Sequence, residues 1–294
     1  MKQFKLILLC FIVTLVMAIS WAIGAMIGNA ITASTPPPPP DASHAGEIFL
    51  AVCAFNSVLI VTLLTMTKAY SGAGKRIALV SYVFVVQFLL TQIETFFFAE
   101  GIGIGHDQTV AIVMAGAISS AITMIVAMIV YDKFIGKSSI DNPLGITFTY
   151  NRSTLLLLAF LILIGYPFLY LTFGYYVAWQ SENLRIFYTS SSDIDPFLPQ
   201  TAKAFFNGIY LLQIVRGLIW ILVTVPMVAM LQGNPIRQFL IVAVLSALLP
   251  TSLLFIPNPY MPRDISMTHF IETSTSNFLW GLLMVWGIRK GLTL

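Results

Sequence analysis

The chain reads as an all-α integral membrane protein, a bundle of about eight transmembrane helices with both termini in the cytoplasm. Three observations predict this. Hydrophobic residues make up 58% of the 294 positions and charged residues only 9%, where a soluble domain carries roughly 25% charged. The apolar residues gather into runs of about 18 to 25, the length of a helix that crosses a bilayer. Lys and Arg collect in alternate connections between those runs, as they do in short cytoplasmic loops.

In chain order the expected spans are 5–30, 47–69, 76–99, 109–131, 153–178, 204–230, 236–256 and 266–288. The runs lack the period-2 alternation of a membrane strand and are about twice its length, so a β-barrel does not fit. The first run follows Lys2 and Lys5 and invites comparison with a signal peptide. Its length and the small residues Ser20, Gly24 and Gly28, spaced four apart, suit a retained span that packs closely on a neighbour. Residues 32–46 form a Pro-rich outer linker, in which Pro36 to Pro40 predict a stiff polyproline II spacer. Asn151-Arg152-Ser153 matches a glycosylation triplet, yet it falls on the cytoplasmic side and reads as a helix start. Gly101, Gly103 and Gly105 sit in an outer turn between membrane helices, away from any βαβ unit, so they form no nucleotide-binding loop. Cys10 and Cys53 belong to opposite ends of their spans and are too far apart to bridge.

One side of the membrane receives Lys2, Lys5, Lys68, Lys75, Arg76, Lys133, Lys137, Arg152, Arg237, Arg289 and Lys290, 11 in all, and the other only Arg185, Lys203 and Arg263. The side rich in positive charge is assigned to the cytoplasm. Net charge is only +3 and the basic residues form no stripe, which excludes a nucleic-acid-binding protein.

The ionisable residues inside the spans carry the functional information, because they are costly in hydrocarbon and usually face the bundle interior or a wet cavity. Glu94 lies near the outer end of the third span, His269 and Glu272 in the first turns of the eighth, and Arg216 near the middle of the sixth. The long Arg216 side chain can reach outward, which brings one guanidinium toward one or both carboxylates. Gln87, Thr91 and Glu94 recur at i, i+4, i+7. His269, Glu272 and Ser276 recur at i, i+3, i+7, and Gln213 shares a face with Arg216. Glu94, Arg216, His269, Glu272, Gln87, Gln213 and Ser276 are therefore the candidate ligand-binding or buried-charge cluster. The structural alternative is that such groups only hold helices in register. Gly116, Ser119, Ser120 and Thr123 make a softer polar face, of the kind that more often supplies interhelical hydrogen bonds of about 0.6 kcal/mol each.

No cofactor is expected. His269 with Glu272 at i, i+3 resembles half of a carboxylate metal site, with Glu94 as a candidate third ligand from another helix, so a bound metal ion is the minority expectation; a di-metal bundle repeats its Glu-x-x-His pairs, and this chain has one reversed pair. No nucleophile and base stand at a recognisable spacing, and no catalytic residue is assigned.

Pro167 and Pro226 predict kinks that free backbone carbonyls inside the membrane. Tyr175, Tyr176 and Trp179 end the fifth span as an aromatic belt. The outer loop beyond them carries Phe187, Tyr188 and Phe197. Gly174-Tyr175-Tyr176-Val177-Ala178-Trp179-Gln180, with Leu184-Arg185 and Phe187-Tyr188, resembles a group of bacterial multi-pass inner-membrane proteins with no assigned activity. Gln213 with Arg216-Gly217, the turn Pro257 to Pro262, and His269-x-Ile271-Glu272-Thr273 with Ser276-Asn277-Phe278 are similar to the same group. The resemblance covers the second half of the chain and implies a bacterial inner (cytoplasmic) membrane protein.

Three functions are expected. The first is transport, or binding of a small solute or ion, at the Glu94, Arg216, His269 and Glu272 cluster. The second is a non-catalytic scaffold or subunit whose outer loops meet a protein partner. The third is a metal-assisted intramembrane enzyme, which needs His269, Glu272 and Glu94 to converge with an open coordination position.

Overall fold

The computed structural model of the chain describes residues 2–34, 36–38, 43–67, 72–136 and 151–291. Within them the backbone is helical almost throughout, and a single bridge between Asn258 and Met261 closes the Pro-rich turn. Helix α1 spans Lys2–Thr32 and α2 Ala45–Met66. Helix α3 runs Gly72–Phe84, passes through a π-helical turn at Val85–Leu89 and continues as Leu90–Ile102. Helix α4 is His106–Phe134. Helix α5 joins Arg152–Phe160 and Tyr166–Phe173 through a π turn at Leu161–Gly165 and ends in another at Gly174–Ala178.

Two short helices come next, outside the spans: α6 Glu182–Thr189 and α7 Phe197–Phe206. Helix α8 is Ile209–Met230, α9 is Pro235–Thr251 with a 3₁₀ turn at Ser252–Phe255, and α10 is Arg263–Gly291. Among the described residues, seven helices are long and apolar enough to cross a membrane. Helix α10 has the length, 29 residues, but its first half is polar, and it lies in the bundle against α9 and α5. Large apolar side chains such as Phe4, Phe11, Met26, Leu156, Phe168 and Leu222 point outward from α1, α5 and α8. Such a belt is tolerable where the surrounding solvent is hydrocarbon.

The expected sixth span, 204–230, is cut short. Gly208 takes φ +82°, a left-handed conformation that ends the chain's helical path, so α7 stands apart and the membrane helix begins at Ile209. Local chemistry explains the other ends. Asn151 accepts from the Thr154 amide at 2.9 Å, so the glycosylation-like triplet is the N-cap of α5. Asn234 caps α9 from before Pro235, and Gly103, at φ +68°, closes α3. Pro36–Pro38 belong to neither helix nor strand. Pro39 and Pro40, and with them part of the spacer assignment, lie outside the described residues, as do Lys68 and Lys137. Cys10 and Cys53 are free thiols.

Two seams of small residues set the helix spacing. Along α1 and α4, which run antiparallel, Ser20 bonds Ser119 at 3.2 Å and Thr123 at 3.0 Å. A Cβ added at Gly24 would lie 2.7 Å from the Ala115 carbonyl oxygen, and one at Gly28 would lie 2.5 Å from that of Ala111. The same register carries Lys5 to the last carbonyls of α4, where its ammonium donates to Phe134 at 3.0 Å. The first helix thus packs on α4 along its length through its ridge of small residues. The second seam joins α9 and α10, where a Cβ at Gly281 would lie 2.6 Å from the Ala243 Cα.

These approaches leave no room for a branched side chain. Gly28→Val should destabilise the detergent-solubilised protein by about 1–3 kcal/mol through overpacking, read as a lower midpoint of thermal unfolding. Gly46→Ala, where an added Cβ meets nothing within 4 Å, should leave the midpoint unchanged.

Candidate functional site

The site begins at Arg216, which α8 holds 4% exposed within an apolar helix. A charge at that depth needs a partner from another helix, and Glu94 supplies it. Its Oε2 lies 2.9 Å from Arg216 Nη1, and its Oε1 accepts from the Tyr170 hydroxyl at 2.5 Å. Gln213, one turn before Arg216, accepts from the same Nη1 at 2.8 Å. The guanidinium also faces two rings of α5, with Cζ 5.9 Å from the Tyr166 centroid and 5.8 Å from that of Tyr170, within cation–π range. Gly217 permits this approach, since a Cβ there would lie 3.2 Å from Tyr166 Cβ.

The shape of α5 comes from Pro167. A proline leaves the carbonyl four residues earlier without its amide donor, and here that carbonyl, on Leu163, accepts from the Tyr210 hydroxyl of α8 at 2.7 Å. The adjoining π turn at Leu161–Gly165 absorbs the extra residue. Tyr166 and Tyr170, one turn apart, then face Arg216 together.

Opposite this ion pair stands α10. Glu272 is 6% exposed. Its Oε2 accepts from Thr273 Oγ1 at 2.8 Å and lies 3.6 Å from His269 Nδ1. His269 Nε2 meets the Tyr188 hydroxyl of α6 at 3.0 Å. Burial, then the nearby Glu94 and Glu272 carboxylates, raise the Tyr188 hydroxyl above its ordinary pKa, so it stays protonated and can donate to Nε2. In the tautomer that carries its proton on Nδ1, that proton faces Glu272. Arg216, Glu94 and Tyr170 are separated from Glu272, Thr273, Ser276 and Asn277 by a cavity of about 10 Å³, enough for about one water-sized occupant.

Of the residues expected to form the cluster, Glu94, Arg216 and Gln213 are in direct contact, and Glu272 and Ser276 line the facing wall. His269 sits outward of Glu272, under α6. Gln87 lies elsewhere, in the lining of a separate cavity with Asn56 and Ser120. The π turn at Val85–Leu89 accounts for this, because an inserted residue rotates the rest of the helix by roughly 100° and breaks the i, i+7 alignment of Gln87 with Glu94. Glu94 is engaged by Arg216 and Tyr170, and among the described residues no three His, Cys, Asp or Glu side chains gather closely enough to hold a metal ion. Sequence reasoning missed Tyr166 and Tyr170. Their spacing of four across Pro167, as the two hydroxyl-bearing rings of the run before Gly174, is the signal that marks them in retrospect.

No known protein family, curated protein or solved structure matches the chain. What the fold defines is a multi-pass α-helical membrane protein in which a buried arginine, paired with a partly exposed glutamate, faces a buried carboxylate.

The pairing has a direct test. Arg216→Ala leaves Glu94 uncompensated and should lower stability by about 3 kcal/mol, the lower part of the range for a buried pair, because Glu94 is partly exposed. Arg216→Met with Glu94→Gln should recover most of the loss, whereas Arg216→Met with Glu272→Gln should not. Equal recovery by both double variants, measured as folded yield and unfolding midpoint in detergent, would contradict Glu94 as the partner.

Proposed function

We propose that the protein binds a small positively charged solute or ion between Glu94, Arg216, His269 and Glu272 and moves it across the membrane. One observation carries the reading. The Arg216 guanidinium is already paired with Glu94 at 2.9 Å, and Glu272, buried across the cavity, has among the described residues His269 and the Thr273 hydroxyl as its close contacts. A buried carboxylate in that setting suits a cation. The π turns at Val85–Leu89, Leu161–Gly165 and Gly174–Ala178 flank the helical segments that carry Glu94 and the two tyrosines, and such turns gather at functional sites.

A second reading, the scaffold, draws support from the size of the cavity, which at about 10 Å³ leaves no room for a solute without movement of α5, α6 or α10. We place the protein in the bacterial inner membrane with both termini in the cytoplasm, on the Lys and Arg distribution and the resemblance of the second half.

Two measurements test this. Glu272→Gln keeps the Arg216–Glu94 pair, so the variant should fold, yet it should fail to complement a deletion strain. Full complementation by the folded variant would reject solute binding and leave the scaffold. For orientation, a periplasm-active reporter fused after Pro40, Gly103 or Ser192 should be active, and one fused after Gly74, Ser139 or Gly233 silent. Reversed activities would overturn the topology.

A further inference from the structure

A second cavity lies on the other side of α3, among α1, α2, α4 and the end of α9, and its polar chemistry differs from that of the charged site. Three polar atoms on three helices line it without a hydrogen-bond partner: Trp21 Nε1, Asn56 Nδ2 and Ser120 Oγ. Asn56 is 0% and Ser120 2% exposed, so bulk water does not satisfy them. One end of the Asn56 amide is held from behind by the Ser252 hydroxyl at 3.0 Å, which also donates to the Leu249 carbonyl at 3.1 Å, and the other end is left to the cavity. Trp21 closes the mouth, packed against Phe49 at 5.4 Å between centroids.

The indole N–H of Trp21 therefore needs an acceptor here. The indole only donates, the Ser120 hydroxyl does either, and the Asn56 and Gln87 carboxamides each carry one donor and one acceptor end. No Asp, Glu, Lys, Arg or His lines the cavity, so a charged ligand would be buried in low dielectric without a counter-ion. The open space is about 10 Å³, room for about one oxygen atom and its hydrogens. Unpaired donors inside a membrane protein cost several kcal/mol each in hydrocarbon.

We infer that this cavity is a binding site for one uncharged oxygen acceptor, held by Trp21, Asn56 and Ser120, which ties α1, α2 and α4 together. Two sources carry that chemistry: an internal water, and the ester carbonyl of a lipid chain reaching in past Trp21 and Phe49. The site is independent of the Glu94–Arg216 pair and of the solute-binding proposal.

The indole N–H of Trp21 reports the occupant. The full chain, labelled with ¹⁵N-indole tryptophan, gives five indole signals, one for each Trp of the sequence, and Trp21→Phe identifies the relevant one. In nanodiscs of diester phospholipid that signal should be displaced downfield by its hydrogen bond, and Asn56→Leu, which fills the space, should abolish the displacement. Nanodiscs of diether phospholipid with the same chains separate the sources. A displacement kept in diether lipid identifies the water, and one lost there identifies the ester carbonyl; either result supports the site. Ser120→Ala provides the same reading if Asn56→Leu does not fold. A Trp21 signal without displacement in both lipids, or one unchanged in both variants, would overturn the inference.

Discussion

A guanidinium at the centre of an apolar helix has no solvent to turn to, and this requirement organises the second half of the bundle. Arg216 is held by Glu94 from α3, Gln213 from its own helix, and the rings of Tyr166 and Tyr170 from α5. Each of these groups must arrive at one point, so α3, α5 and α8 are fixed against one another in rotation as well as in spacing. A buried ion pair adds little net stability against an apolar pair of the same volume, but an unmatched one is strongly penalised. Its effect is to select one helix arrangement among those that the apolar surfaces would otherwise allow.

The irregular turns serve the same point. A regular α5 would leave the Leu163 carbonyl bare before Pro167. Instead a π turn precedes the proline and Tyr210 covers the carbonyl from α8. Backbone groups in hydrocarbon have to be satisfied inside the protein, so the proline is tolerated only because a neighbouring helix supplies the missing donor. The π turn in α3 separates two polar faces of one helix. Gln87 is turned to the neutral polar cavity beside α1, α2 and α4, and Glu94 to the charged cavity beside α5, α8 and α10.

The two cavities are of similar size and opposite character. One is bounded by two carboxylates and a guanidinium, capped from outside by Tyr188 on α6 through His269. The other is lined beside Trp21 by neutral polar groups only. The seam of Ser20, Gly24 and Gly28 against Ala111, Ala115 and Ser119 keeps α1 close enough to α4 for Trp21 and Ser120 to share a cavity. Small residues there act through distance: they let two backbones meet, and the polar groups beside them then lie within one atom's reach.

Much of this was determined by the sequence by itself. Hydrocarbon thickness sets the length of a span and desolvation keeps charge out of it, so run lengths and composition were enough to define the helices. Arg216, Glu94 and Glu272 stood out because ionisable residues are rare where they sit. Asn151 and Gly103 announced their ends through local backbone chemistry. Which carboxylate pairs with Arg216, that Gln87 leaves the cluster, that Gly208 splits the sixth run, and that two tyrosines complete the site were decided only by the tertiary structure. Helix rotation, altered by inserted π turns and by a proline satisfied from a neighbouring helix, is a property of several segments at once, and no single segment's periodicity encodes it.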